Sequence, residues 1–336
     1  MSLPQVKRRA VSVSPQNQVR GHCLNPGDEF IYVIEPALKD VDLMAWGAAN
    51  KREIERKLYQ HGAILFRGFD LNSVGQFETF TAAVSDQTME YRERSSPRSQ
   101  VGDKIYTSTD YPPDQTIFPH NEHSYSLTFP LKLFFYCVLP AQAGGETPLA
   151  DTRRILQSIS PATRARFAEK KWMYVRNFGD GYGLSWQTVY QTNDRSVVER
   201  YCLNSGIEFE WKEGDRLRTR QVRDAMLTHP HTGEIAWFNH ITFFHISTLP
   251  ASLRDAITAD FDEADYPNNT YYGDGSRIEP EVMDELRTAY QRHLTSFTWR
   301  LGDVVLLDNM LTSHARSAYE GDRRILFAMS EPFTRS

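Results

Sequence analysis

The sequence predicts a mainly β fold, a β-sandwich or jelly roll with helical decorations, on three observations. Segments rich in aromatic and β-branched residues recur through the middle of the chain, at residues 116–120, 132–138, 172–177, 207–211 and 235–244, which is the composition of strands. Helical patterns are inserted among them. The last third closes with short strands at 296–299 and 304–307 around a Leu301-Gly302-Asp303 turn, then a hairpin over 314–329 that turns at Glu320-Gly321-Asp322.

Residues 1–27 mix Arg, Lys, Ser, Gln and Pro without periodicity and predict a loose leader arm. Residues 28–336 show neither a fixed-period repeat nor a long linker, which predicts one elaborated domain. Ile54 and Leu58, four apart, mark a helix over 50–60 that His61-Gly62 ends before a strand at 63–66. Val74, Phe77, Phe80 and Val84 mark a second amphipathic helix. Further helices are predicted at 153–159, 162–170, 197–204 and 280–294, the last with Pro280 at its start and Val282, Leu286 and Tyr290 along one stripe.

With 336 residues, 40% hydrophobic, the chain can bury a large core. A formal net charge of −5 supplies no electrostatic reason to bind a polyanion, so nucleic acid is not an expected partner. The longest strongly apolar run, residues 131–140, is about half the length of a membrane-spanning helix. Residues 11–18 are too polar for the core of a secretion signal, so a cytoplasmic protein is expected. Cys23, Cys137 and Cys202 are scattered and odd in number, which argues against a disulfide framework and against a cysteine-based zinc site. A metal would therefore be held by His and carboxylate.

Two His and one carboxylate on one face of an iron ion leave positions open for a chelating co-substrate and dioxygen. On a strand, residues i and i+2 point to one side, so His120-Asn121-Glu122 can offer two such ligands. With 10 histidines and 43 acidic residues in the chain, about one such triplet arises by chance. A strand histidine satisfied by a backbone carbonyl is the other reading of His120.

Downstream, His314 opens the predicted hairpin and Arg324 follows on its returning strand. A three-residue loop at 320–322 would pair Arg324 with Ala318 and Ala328 with His314, turning His314 and Arg324 into one cavity. They would stand about 13 Å apart along the ladder, a gap that a small dicarboxylate and an extended arginine bridge. Arg323 alternates to the opposite, solvated face. The Gly144-Gly145-Glu146-Thr147 turn offers the Thr147 hydroxyl to the same carboxylate, the other reading being an ordinary turn threonine.

These residues resemble a known family. His120-x-Glu122, the Gly-Gly-Glu-Thr turn ending at Thr147, and Asp308-Asn309 leading to His314 and then Arg323-Arg324-Ile325 are together similar to the taurine dioxygenase-like superfamily of iron(II)/2-oxoglutarate oxygenases, over residues 63–332. Residues 120–126 and the Asn-Phe-Gly-Asp-Gly-Tyr-Gly run at 177–183 look like the syringomycin-pathway hydroxylases, and are also similar to clavaminate synthase. The resemblance implies a double-stranded β-helix (jelly-roll) core, Fe(II) on His120, Glu122 and His314, the distal carboxylate of 2-oxoglutarate on Arg324 and Thr147, and dioxygen as the other co-substrate. It implies hydroxylation of an unactivated C–H bond in an amino acid or amino-acid-derived substrate, free or tethered to a carrier protein, in natural-product and antibiotic biosynthesis. Desaturation is the alternative outcome.

Two departures from taurine dioxygenase inform this expectation. Glu122 replaces its aspartate, as in clavaminate synthase-like members; a halogenase would carry a small residue there, so halogenation is not expected. Ala328 stands where taurine dioxygenase has the arginine for its sulfonate, so a sulfonate substrate loses its anchor. Asn239 and His240 are candidate substrate contacts because Trp237-Phe238-Asn239-His240 is shared with the similar hydroxylases, with a structural hydrogen-bonding role as the other reading. His123 is expected to alternate away from the metal, lying either behind the ligands or at the surface, and His229-Pro230-His231 to be structural. Tyr125, Phe129, Trp186, Trp237, Phe238, Phe243 and Phe244 are candidates to shield the centre, or simply core.

A zinc hydrolase also uses two His and one Glu, but the helical His-Glu-x-x-His signature is absent and Arg324 and Thr147 would lack a purpose. Protein demethylases share the iron triad, but the tailoring-type motifs favour a small or carrier-bound substrate. A non-enzymatic jelly-roll binding protein remains the bland alternative.

Overall fold

Apolar side chains stand on both faces of the 12-residue strand Thr128–Leu139 because it runs between two packed layers. The computed structural model describes residues 18–90, 93, 99–108, 111–179 and 181–335. In chain order its strands are β1 (Val19–Cys23), β2 (Tyr32–Pro36), β3 (Ala63–Phe66), β4 (Gln100–Gly102), β5 (Ile105–Thr107), β6 (Ile117–His120), β7 (Thr128–Leu139), β8 (Ala143–Gly144), β9 (Leu149–Asp151) and β10 (Trp172–Phe178). They continue with β11 (Ile207–Trp211), β12 (Leu217–Arg223), β13 (Met226–Thr228), β14 (Ile235–Trp237), β15 (Asn268–Tyr272), β16 (Leu294–Thr295), β17 (Val304–Asp308), β18 (Thr312–Arg316), β19 (Tyr319–Glu320) and β20 (Arg324–Thr334).

Eight strands form one sheet in the order β1-β2-β3-β17-β7-β20-β5-β4, and a smaller sheet has the order β16-β9-β18-β6. The pleat sorts the central side chains to two faces. Phe134, Tyr136, Val304, Leu306, Leu326 and Ala328 pack outward against Leu43, Ile54, Leu58, Phe77 and Phe80 of the helices Leu43–Ala49, Lys51–His61 and Val74–Val84. Leu133, Phe135, Cys137, Val305, Leu307, Ile325 and Phe327 turn inward, where they meet Leu149 of the smaller sheet. This inner layer is the jelly-roll core. A third sheet, β11-β12-β10-β15, packs with the helices Pro280–Arg292 and Arg195–Asn204 through two further apolar clusters.

Local signals set several boundaries. The helix Lys51–His61 stops at Gly62, whose φ of 71° is the left-handed cap conformation and whose N–H reaches Leu58 O at 2.7 Å. Ser73 accepts from Gln76 N to start Val74–Val84. Among the described residues, no helix is long and apolar enough to cross a membrane.

The structure departs from the sequence expectations at four places. Of the predicted leader, residues 1–17 lie outside the described residues, while Val19–Cys23 is a strand paired along its length with β2. Residues 235–244 are a three-residue strand followed by the helical turn Ile241–Phe244. The strand expected at 296–299 is an irregular segment, although Phe297 and Trp299 still bury in the inner core. Residues 314–329 do not form a hairpin. β18 pairs with β6 and β9 in the smaller sheet, β19 pairs with β8, and β20 pairs with β7 and β5 in the larger sheet, so the chain crosses between layers instead of folding back on itself.

Candidate metal centre and co-substrate pocket

β6 and β18 run antiparallel with His120 and His314 as direct partners. Directly opposite side chains share a face, and the two imidazole centroids lie 4.4 Å apart. β6 ends at His120, so Glu122 is supplied by the following turn. Asn309, in the turn between β17 and β18, holds that turn in place: it accepts from Glu122 N at 2.8 Å and donates to Glu122 O at 2.9 Å. Asn121 returns a bond to Asn309 O at 2.6 Å.

Ligand atoms of His120, Glu122 and His314 all lie within 4.8 Å of one another, with Glu122 Oε2 at 3.8 Å from His314 Nε2. His120 Nδ1 meets Phe118 O at 2.9 Å, so this nitrogen carries the proton and Nε2 keeps the lone pair a metal needs. Two imidazoles and one carboxylate, converging and largely buried, are the donor set of a facial iron site. These residues fit the ion.

The cavity beside the histidines is lined by Phe135, Thr147, Arg316 and Arg323, among others. Arg323, not Arg324, enters it. Arg324 is exposed at the first position of β20, where a register irregularity separates it from Ile325. The crossing between layers replaces the hairpin on which the expected pairing rested, and it turns Arg323 inward. Its Nε donates to Gly145 O at 2.8 Å, and its Nη groups reach Ser108 Oγ at 3.4 Å and Thr147 Oγ1 at 3.5 Å. Among the described residues it makes no ion pair. Burial, then the neighbouring Arg316, lowers its pKa to about 10. Thr147 also accepts from Trp299 Nε1 at 3.1 Å. Arg316 is committed to structure, donating to the carbonyls of Tyr111, Pro112 and Gln115.

The same register moves Ala328 to the helix-packed face of the sheet, and Phe327 occupies the inner face against Phe135. The inner face of β20 therefore presents no second arginine near the centre.

Asn239 and His240 are both buried beside the site. Asn239 is spent on backbone, donating to Ala225 O and accepting from Ile241 N. His240 packs 5.4 Å from His120 and its Nδ1 meets Ser124 Oγ at 2.5 Å; burial holds its pKa far below the ordinary value, so the ring is neutral. His123 is not among the converging ligand atoms and lies behind Glu122 rather than at the surface. With φ at +55° it stays buried, Nε2 3.9 Å from Glu122 Oε1 and Nδ1 3.2 Å from Ser126 Oγ. His229 pairs with Asp308 at 2.9 Å, and the same carboxylate caps Met310 N and Leu311 N, a structural role. Of the aromatic candidates, Phe243 lies 4.6 Å from His120, and Tyr125 and Phe244 surround His240. Phe129, Trp186, Trp237 and Phe238 belong to apolar clusters.

Residues 26–330 match the model of the family described as taurine catabolism dioxygenase TauD, TfdA. The chain is 38% identical over 279 residues to the dapdiamide synthesis protein DdaC of Enterobacter agglomerans, covering 83% of this chain and 85% of that protein. It is 27% identical over 291 residues to a clavaminate synthase-like protein of Arabidopsis thaliana, covering 83% and 84%. Among solved structures, PvcB from Pseudomonas aeruginosa superposes with a TM-score of 0.56 at 16% identity, covering 95% of this chain and 92% of that one.

Proposed function

The chain belongs to the TauD/TfdA dioxygenase family, whose members are iron(II)/2-oxoglutarate oxygenases, and on that premise we propose that it oxidises an unactivated C–H bond of an amino acid or amino-acid-derived small molecule. His120, Glu122 and His314 hold the ferrous ion, and Arg323 with Thr147 holds the distal carboxylate of 2-oxoglutarate. The observation that carries this reading is a half-buried arginine with no ionic partner among the described residues, sharing one cavity with His120 and His314 of the converging His-Glu-His donors. A desolvated guanidinium without a carboxylate is costly. A dicarboxylate spanning the cavity satisfies both ends.

When bound, ferrous iron supplies two-electron oxidation by dioxygen, coupled to conversion of 2-oxoglutarate to succinate and carbon dioxide. The protein's own groups do the rest. Arg323 offers a planar fork to two carboxylate oxygens, which fixes the length and direction of the co-substrate. Thr147 accepts from Trp299 and Arg323 and so has its hydroxyl proton to donate to the same carboxylate. Glu122 acts as a ligand held by Asn309, not as a general base. Phe135 and Phe243, 5.1 Å from His314 and 4.6 Å from His120, restrict water beside the ligands.

Similarity to a dapdiamide synthesis protein supports a biosynthetic small-molecule substrate, free or carrier-bound. A solved structure of PvcB is described as an Fe, alpha-ketoglutarate dependent oxygenase from an isonitrile synthetic pathway, which agrees with this type of role. The test is succinate release with Fe(II), 2-oxoglutarate and a panel of free and thioester-linked amino acids, with mass spectrometry for a gain of oxygen. Substrate-dependent turnover that His314→Ala abolishes supports the reading; full turnover in that variant defeats the ligand assignment.

A further inference from the structure

The cavity beside the metal ligands adjoins a second one. Ser108, Arg316 and Arg323, which line the first together with His120 and His314, also line an outer cavity with Tyr111, Pro112 and Arg324. The two spaces share a neck of three side chains. Pro112 and Arg324 are exposed, so the outer space faces solvent. On another side of the site, Phe243 and His240 pack against His120 at centroid distances of 4.6 and 5.4 Å and line neither cavity.

The neck has fixed members and a loose one. Arg316 is fixed: it donates to Tyr111 O at 2.9 Å, Pro112 O at 2.6 Å and Gln115 O at 2.8 Å, and its guanidinium lies 5.2 Å from the centre of the Tyr319 ring. Ser108 is fixed through its backbone, whose N–H donates to Ile325 O at 2.9 Å. Arg323 is tied closely only at Nε. Its Nη contacts with Ser108 and Thr147, at 3.4 and 3.5 Å, stand at the limit of a hydrogen bond. The head of this side chain is therefore free to turn about an anchored stem, and it borders both cavities.

Among the described residues, the charged side chains lining the two cavities, histidines aside, are Arg316, Arg323 and Arg324. Glu320 and Asp322 of the preceding turn are exposed and line neither. An anion moving inward from solvent meets Arg324 first and Arg323 next, and each guanidinium attracts a carboxylate.

We propose that the outer cavity is the vestibule through which 2-oxoglutarate reaches the metal site and succinate leaves it, with Arg324 at its mouth and Arg323 at its neck. This rests on the oxygenase reading above and adds the route to it. A residue that the dicarboxylate passes, but does not rest on, stabilises the barrier and not the bound state. Its loss slows arrival and departure by the same factor and leaves Kd where it was. Arg323, on which the carboxylate rests, sets Kd instead.

The experiment follows the Fe(II)–2-oxoglutarate absorption band of the anaerobic iron-loaded enzyme by stopped flow, with kon and koff read from the slope and intercept of the observed rate against co-substrate concentration. Arg324→Glu at about 0.1 M ionic strength is expected to lower kon and koff together, by about three-fold, with Kd within about two-fold; at about 1 M salt the difference from wild type disappears. A second arm is steric and independent of charge. In a Cys23→Ser background, where the remaining native cysteines are buried, Pro112→Cys keeps the carbonyl that Arg316 uses and carries a bulky disulfide-linked cap. The cap is expected to lower both rates at least about ten-fold at nearly constant Kd, and reductant restores them. Unchanged rates in either variant overturn the inference, as does an Arg324→Glu effect that falls on Kd with koff unaltered, which would make Arg324 a binding residue. Absence of the band in wild type defeats the oxygenase reading beneath it.

Discussion

Asn309 clamps Glu122 through its backbone, accepting from Glu122 N and donating to Glu122 O, and its own carbonyl accepts from Asn121. One buried amide therefore ties the carboxylate turn to the segment that delivers His314, although the two are 187 residues apart in sequence. Asn309→Ala is predicted to weaken Fe(II) binding about 10- to 100-fold, the usual cost of losing a group that orients a ligand. Equilibrium metal titration checks this, and unchanged affinity would mean that the turn holds Glu122 without help.

Arg323 and Arg324 are adjacent, but only Arg323 enters the cavity. Arg323→Lys removes the planar fork and is predicted to raise the KM for 2-oxoglutarate about 10- to 100-fold. Arg324→Ala, at an exposed position, is predicted to leave it within about two-fold. Steady-state kinetics with the co-substrate varied decides between them; the opposite ranking would restore the hairpin register.

That register shows where sequence reading stops. His120, Glu122, His314 and Thr147 stood in motifs whose order is readable in the sequence; ligand atoms of the first three lie within 4.8 Å of one another and His120, His314 and Thr147 line one cavity, although Glu122 comes from the turn after β6 and not from strand alternation. The choice between neighbouring arginines was not readable there. It depends on β18 and β20 lying in different sheets and on an irregularity at Arg324, both set by long-range pairing with β6, β9 and β7. Residues 132–138 read as a strand from their composition, which does not tell that Phe134 and Tyr136 meet the helices while Leu133 and Phe135 meet the inner layer. Asn309 stood in a noted motif, yet its clamp joins segments no local pattern connects.

His245 gives the fold a pH dependence on the acid side. Its Nδ1 accepts from Ser247 N at 3.2 Å, which requires the neutral ring. Burial first, and Arg287 second, lowers its pKa to about 4. Between the ordinary histidine value and pH 4, the unfolded chain takes a proton that the native ring refuses, so stability falls as pH falls through that window. Thermal melts of wild type and His245→Asn are predicted to diverge in slope there, by on the order of 2 kcal/mol between pH 7 and pH 4. Parallel curves would assign the acid sensitivity to other groups.

The cysteines separate by burial. Cys137 and Cys202 are buried, and burial pushes their thiols up to about 12 and about 11, whereas Cys23 is partly exposed. Alkylation of the native protein at pH 8 is predicted to label Cys23 and spare the other two, with all three labelled in denaturant. Peptide mass spectrometry reads the result; rapid labelling of Cys137 would contradict the packing of the inner sheet face.

The most direct measurement of the central claim is anaerobic titration of the protein with Fe(II) in the presence of 2-oxoglutarate, following the visible charge-transfer band of the chelated ion. Saturation at one iron per chain in wild type, with loss of the band in His314→Ala and a raised 2-oxoglutarate requirement in Arg323→Lys, is the predicted result. No band in wild type, or an undiminished band in His314→Ala, would contradict a metal centre built on these residues.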